Sequence, residues 1–200
     1  MFVDFVEVGT CDFDTLIEKA TNVTFGLSIE GIKTFLDKLP DKPNVKKINC
    51  IISDCEGDEY IYTVHPNLYS KLPEWVRGSN SIAKPHPIVV RWLTQNKLPL
   101  DIFVRYKVPK RTLYNVLQDN NISSIDYLKV DAEGHDELIL KKLLSDINEN
   151  SNFKLLPRKI QFESNELHKD EDVKEMINLL EQHNYKFISR GFDVVMEQIG

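Results

Sequence analysis

Acids crowd one short run of this sequence. In DYLKVDAEGHDE, residues 126–137, an apolar stretch ends at Val130, and Asp131, Glu133, His135, Asp136 and Glu137 follow. Carboxylates and an imidazole this close together can accept a proton, hold a cation or fix a polar ligand. Asp131 is the first candidate proton acceptor, because an acid at a strand tip points into the crevice above a parallel sheet. His135 is the second, because a helix N-terminus disfavours the charged imidazole and keeps it basic. An exposed helix-start histidine accounts for His135 slightly better. Lys129, inside the strand, reads best as a structural ion pair. Asp131 with Glu163 and Asn165 would also make an oxygen-rich set for a hard divalent cation. That is a minority reading, since capping or substrate hydrogen bonds explain the same residues.

These residues need a frame. FVDFVEV (2–8) reads as a strand ending at Gly9, and Thr15 and Glu18 have capping-box spacing at a helix start. VTFGLSIE is a second strand, stopping at Glu30. Ile32, Phe35, Leu36 and Leu39 form a helical stripe closed by Pro40 and Pro43. VKKINCIIS (45–53) is a third strand, ending at Asp54, and GDEYIYTV a short extra one. Residues 65–108 hold five prolines and both tryptophans without a clear period, a variable region suited to acceptor binding or a lid. RTLYNVLQDN is helical, IDYLKV is the fourth main strand, and a helix follows through Leu138–Leu144. RKIQFES, a helix marked by Val173, Met176 and Leu180, and a hairpin around Gly191 complete the chain. Alternating strands and helices predict an α/β domain, a mostly parallel sheet covered on both faces with an antiparallel edge. The 200 residues suit one domain, 1–200.

Ligands of such sheets bind beyond the carboxyl ends of the strands. The tips here are Glu7–Gly9, Glu30, Asp54, Asp131–Glu133 and Glu163–Asn165, and each carries an acid. Helix capping explains any one of them about as well, but their coincidence favours a site. A dinucleotide turn wants a second glycine where Cys11 stands, and Asp12 and Asp14 would repel a diphosphate. A nucleoside with a positive centre and no phosphate fits better, and S-adenosylmethionine is such a ligand. Glu30 lies about 20 residues after Gly9, the spacing at which an acid reaches ribose hydroxyls.

IDYLKVDAEGHDELIL resembles the signature of FkbM-type methyltransferases, a class I S-adenosylmethionine-dependent group. VPKRTLYNVLQDNN before it, and VEVGT, LSIE, IISDCEGDEYIY, GSNSI and KIQFESNE in order, extend the resemblance over nearly the whole chain. It implies a Rossmann-like three-layer sandwich with a seven-stranded sheet and a reversed edge hairpin. It implies that Glu7, Gly9 and Thr10 line the methionine part of the cofactor, that Glu30 takes the ribose and that Asp54 faces the adenine amine. It further implies that Asn80 and Ser81 lie over the cofactor and that Asp131 and Glu133 sit near the transferred methyl. The likeness departs at Phe13, where a further glycine is usual; Phe13 would narrow the pocket or shift the helix.

The leading expectation is an O-methyltransferase acting on a hydroxyl of a small molecule or glycan. The alternatives are a metal-assisted diol O-methyltransferase, with a divalent metal not favoured, and a catalytically silent binding domain. A net charge of −6 argues against general nucleic-acid binding. No apolar run reaches membrane-span length, the start lacks the marks of a signal peptide, and Cys11, Cys50 and Cys55 suit reduced thiols. A cytoplasmic protein is expected. His65 and His86 read as surface loop histidines, and Trp75 and Trp92 as core residues more readily than as a cover for the acceptor.

Overall fold

A computed structural model describes residues 1–199. In chain order the first elements are β1 (Phe2–Val8), α1 (Leu16–Lys19), β2 (Gly26–Ile29), α2 (Lys33–Leu36), β3 (Val45–Ile48), β4 (Ile51–Ser53) and β5 (Gly57–Val64). Then come α3 (Glu74–Gly78), β6 (Ser81–Ile82), α4 (Pro87–Gln95), β7 (Phe103–Thr112), α5 (Leu113–Asp119) and β8 (Ser124–Val130). The chain continues with α6 (Asp136–Glu149), β9 (Lys159–Glu163), α7 (Asp170–Gln182), β10 (Tyr185–Arg190) and β11 (Asp193–Gln198).

The main sheet has seven strands in the order β10-β11-β9-β8-β1-β2-β3. β1, β2, β3, β8 and β9 run parallel, while β11 pairs antiparallel with β9 and β10. This is a Rossmann-like α/β fold with the expected reversed hairpin. The strands bury apolar side chains on both faces. Val6, Val8, Leu128 and Val130 pack with Leu117 of α5, Leu140 of α6 and Met176 of α7. Phe5 packs on the other face with Ile17, Leu36, Leu39 and Val45. Each such side chain, fully buried, contributes roughly 1.5–3 kcal/mol. The chain leaves β1 toward β2 and β3, then returns to β8 on β1's other side, so the strand order reverses beside β1. A crevice opens at such a reversal, above the carboxyl ends of the strands.

Three local expectations change. VKKINCIIS is two strands, not one: β3 ends at Ile48, and β4 belongs to a second, four-stranded sheet, β4-β7-β5-β6. Asn49 marks the break, its Nδ2 donating to the carbonyls of Glu30 and Gly31 instead of continuing the strand. β7 spans ten residues that reach into the supposedly irregular region and take over Arg111 and Thr112 from the expected helix. Pro109 and the run of cations hid it, although it pairs with β5 along that strand's whole length. α1 and α2 are four residues each, but their caps and stripes are as expected: Thr15 and Glu18 form the capping box, and Ile32, Phe35, Leu36 and Leu39 are buried. No helix among the described residues is long and apolar enough to cross a membrane.

Candidate active site

A pocket of about 320 Å³ lies over the carboxyl ends of β1, β2 and β8. Its floor is the first turn. Gly9 has φ +77°, and a Cβ there would lie 1.8 Å from the carbonyl oxygen of Asp131, so only glycine lets the β1 and β8 tips touch. The contact is tied by the Asp131 N–H donating to the Val8 carbonyl at 3.0 Å. Cys11 follows at φ +52°, a left-handed conformation uncommon outside glycine, and its N–H donates to Glu30 Oε2 at 2.8 Å.

Glu30 forms one wall. It is 5% exposed, and its Oε1 accepts from the Ile32 N–H at 2.7 Å. Burial pushes its carboxyl up to about 7, although these backbone donors pull it down. A carboxylate offers about four acceptor positions, so the two N–H groups leave room for a ligand hydroxyl. Beside Glu30 the wall turns apolar with Ile51, Ile61 and Ile82, a slot suited to a flat heterocycle.

The opposite end is acidic. Asp131, Glu133 and Glu163 line it with one cation, Lys129. Removal from water pushes Asp131 up to about 7; Lys129, with Nζ 3.6 Å away, opposes this, and Glu163, Glu133 and Asp193 add to it. Burial would lower Lys129, but Glu7 and Asp131 outweigh it and hold the ammonium protonated. Glu133 has φ +50° in front of Gly134 at φ +90°, a strained turn of the kind that clusters at functional sites. Its carboxylate meets His86 Nε2 at 3.1 Å, and burial raises its pKa while His86 opposes the rise.

The roof comes from the variable region. Trp75, 40% exposed, meets Trp92 edge-to-face at 5.7 Å. Gly78, Asn80 and Ser81 complete it. Phe13, at the departure from the expected glycine, lies under this roof. A Cβ on Gly78 would come within 2.9 Å of its ring, and the Arg77 guanidinium sits 5.1 Å above it. Phe13 thus lines the pocket and seats α3.

The pocket therefore gathers Gly9, Thr10, Glu30, Asn80, Ser81, Asp131, Glu133 and Glu163 of the sequence candidates. Four others, Glu7, Asp54, His135 and Asn165, lie elsewhere. Glu7 is fully buried behind the floor, accepting from the Leu16 N–H at 2.9 Å and from Lys129 Nζ at 3.2 Å. Asp54 does not face the apolar slot; the break after β3 carries it to an exposed turn, where it bonds to Ser53. His135 is half-buried outside the pocket, near Asp54 and Lys110, with burial lowering its pKa. His86, expected at the surface, is 1% exposed. It was illegible because only β8's turn, far away in sequence, gives it a partner.

The metal candidates also regroup. Asp136, Glu163 and His168 bring ligand atoms within 4.8 Å of one another, and Asp131 is not in that group. Asp131 pairs with Lys129, and Asn165 donates to the Glu163 carboxylate. Asp136 is fully buried, its oxygens accepting from the Ala132 and Glu163 N–H groups at 3.2 and 3.0 Å, so it stitches β8's turn to β9. Burial alone would lower His168, but Glu137, Glu163 and Asp136 push it up to about 10. A protonated imidazole therefore supplies the positive charge among these acids.

The pocket suits a cationic nucleoside without phosphate. It has a close-approach glycine, a buried acid, an apolar slot and an acidic end that holds one lysine. A family model described as the methyltransferase FkbM domain matches residues 7–187. No curated protein and no solved structure matches.

Proposed function

This chain belongs to the FkbM methyltransferase family, an S-adenosylmethionine-dependent group, and we propose that it methylates a hydroxyl of a small molecule or carbohydrate. The observation that carries this is the convergence of Gly9, Glu30 and Asp131, from three separate strand tips, on one pocket. We read the chain as a single methyltransferase domain, with residues 65–108 forming its acceptor side.

Gly9 and Thr10 would border the methionine part, Glu30 would accept from the ribose hydroxyls, and Ile51, Ile61 and Ile82 would enclose the adenine. Bound there, S-adenosylmethionine supplies a methyl group on a good leaving group. The protein's share is alignment, which can provide about 7–11 kcal/mol of the barrier. Asp131 would take the proton of the acceptor hydroxyl as its oxygen attacks. A carboxylate that burial pushes up to about 7 is well matched to this, being a stronger base than an ordinary aspartate while still partly ionised at neutral pH. Glu133, fixed by His86, would orient the acceptor beside it, and Trp75 would exclude water. Glu7 would act indirectly, by anchoring Lys129 and α1.

Hydroxyl-bearing acceptors, screened by mass spectrometry for a gain of one methyl, test the proposal. The wild type should give O-methylated product and Asp131→Asn very little. Transfer only to nitrogen or carbon acceptors would refute it. A metal-assisted version is the second reading: the Asp136, Glu163 and His168 group would take a divalent cation only in exchange for the His168 proton. Activity that survives exhaustive chelation removes it.

A further inference from the structure

Parallel strands are usually buried on both faces of their sheet. β8 and β9 are a parallel pair, and one of their faces is fully packed: Leu128, Val130, Ile160 and Phe162 are at most 1% exposed. On the other face, α1 and the α2 stripe cover β1 and β3, and that cover ends where Leu16 meets Tyr127. Beyond it, Tyr127, Lys129, Gln161, Glu163 and Asp193 are only half-buried. The register sets these side chains in rows across the strands. Lys129 pairs with Gln161, and Glu163 with Asp193. Side chains alternate between faces, so Asp131, two residues after Lys129, comes level with Glu163. Asp131, Glu163 and Asp193 form the row nearest the pocket; Lys129, Gln161 and Val195 form the next. The rows are braced together. The Tyr127 hydroxyl donates to Gln161 Oε1, and Gln161 Nε2 donates to Asp193 Oδ2 at 2.8 Å.

This open face runs out of the pocket itself, because Asp131 and Glu163 belong to both. Its chemistry selects what lies on it. The cores of protein interfaces are depleted of charge, whereas charged and amide groups fill these rows, so a second copy of the chain is a poor cover. A polyanion would meet three carboxylates in the first row. A neutral polyol fits: its hydroxyls donate to carboxylate and amide oxygens and accept from Lys129. Strands about 4.8 Å apart give the first row a length of roughly 10 Å, about two sugar rings. We propose that this face of β8, β9 and β11 binds the acceptor, and that the acceptor is a neutral oligosaccharide. Its methylated hydroxyl meets Asp131, and the neighbouring sugar lies on Gln161 and Asp193. The inference rests on the methyl-transfer reading above. It adds a substrate class and a second acceptor surface besides residues 65–108.

The test uses the full chain with a set of neutral mono-, di- and trisaccharides as acceptors, and mass spectrometry reads the methyl gained. The wild type should methylate at least one di- or trisaccharide with kcat/KM about tenfold above that of its component monosaccharide. Gln161→Ala should remove most of that advantage, chiefly through KM, while calorimetry shows unchanged S-adenosylhomocysteine affinity. Val195→Arg, which obstructs the second row and leaves the hydrogen-bonded brace in place, should do the same. Equal use of mono- and oligosaccharides overturns the inference, as does transfer only to charged acceptors. So do variants that keep the chain-length advantage, or a wild-type dimer in sedimentation that Val195→Arg dissociates. A chain that binds S-adenosylhomocysteine and methylates other hydroxyls but no neutral sugar overturns this inference alone. Failure to bind S-adenosylhomocysteine would overturn the cofactor reading and this inference with it.

Discussion

At the residue scale, Asp131 and Glu30 share an elevated carboxyl but differ in their surroundings. Glu30 is held by backbone N–H groups from the first turn and the start of α2. Glu30→Ala should therefore do two things. It should weaken S-adenosylhomocysteine binding by about tenfold, or about 1.4 kcal/mol. It should also cost about 1–3 kcal/mol of stability, since two N–H groups lose their acceptor. Isothermal calorimetry and denaturant unfolding read these separately, and unchanged affinity would refute the ribose role. Asp131 faces other acids and the open pocket instead. Asp131→Asn should lower turnover by roughly 10²–10⁴ while S-adenosylhomocysteine affinity changes little. Equal loss in both would make Asp131 a binding residue.

The same aspartate gives a pH prediction. Its ordinary value is 3.8 and its folded value about 7, so across that window the folded chain keeps a proton that the unfolded chain has released. Proton binding favours the folded state there, and stability falls as pH rises through the window. Above it the ionised carboxylate is destabilising. Asp131→Asn should thus melt higher than wild type at pH 8, with the gap closing toward pH 4. The opposite trend would show that Lys129 stabilises Asp131 more than its acidic neighbours and burial destabilise it.

At the element scale, the β1 and β8 tips are held in contact by a glycine that no other residue can replace. Gly9→Ala meets both a left-handed φ and the Asp131 carbonyl. It should cost at least about 2 kcal/mol in unfolding experiments and displace Asp131. A stable variant with full cofactor affinity would contradict the close-approach argument. The sequence made this turn legible, because Gly9 ends an apolar strand and Cys11 and Asp12 follow it. It did not make Asp54 legible. The run VKKINCIIS has the composition of one strand, and nothing local says that Asn49 will spend its amide on Glu30 and Gly31. That tertiary contact lies where the strand ends, and Asp54 falls outside the apolar slot. β7 was hidden for a related reason. Its charged, proline-bearing sequence lacks apolar alternation, and its pairing with β5 is non-local.

At the scale of the whole molecule, the parallel core was the most legible part and the second sheet the least. The order of strands and helices carries the main sheet, because each apolar run must be covered and each crossover must return. The pocket arises where that sheet's order reverses, and the second sheet and α3 close it from above. This division explains which site residues were readable. Gly9, Glu30, Asp131 and Glu133 sit on strand tips that periodicity locates. Trp75 and His86 come from the region without a period, and only the folded chain brings His86 to Glu133. His135, next to the acids in sequence, ends on another side of α6, since adjacent residues at a helix start point in different directions.

In the function proposed above, one pocket, built from the tips of β1, β2 and β8, cradles a phosphate-free cationic nucleoside. A crystal structure of the chain with S-adenosylhomocysteine tests this most directly. The ribose hydroxyls should lie within ~3 Å of Glu30, the adenine between Ile51, Ile61 and Ile82, and the sulfur should turn toward Asp131. Adenosine bound outside this pocket, or inside it with the ribose away from Glu30, would contradict it.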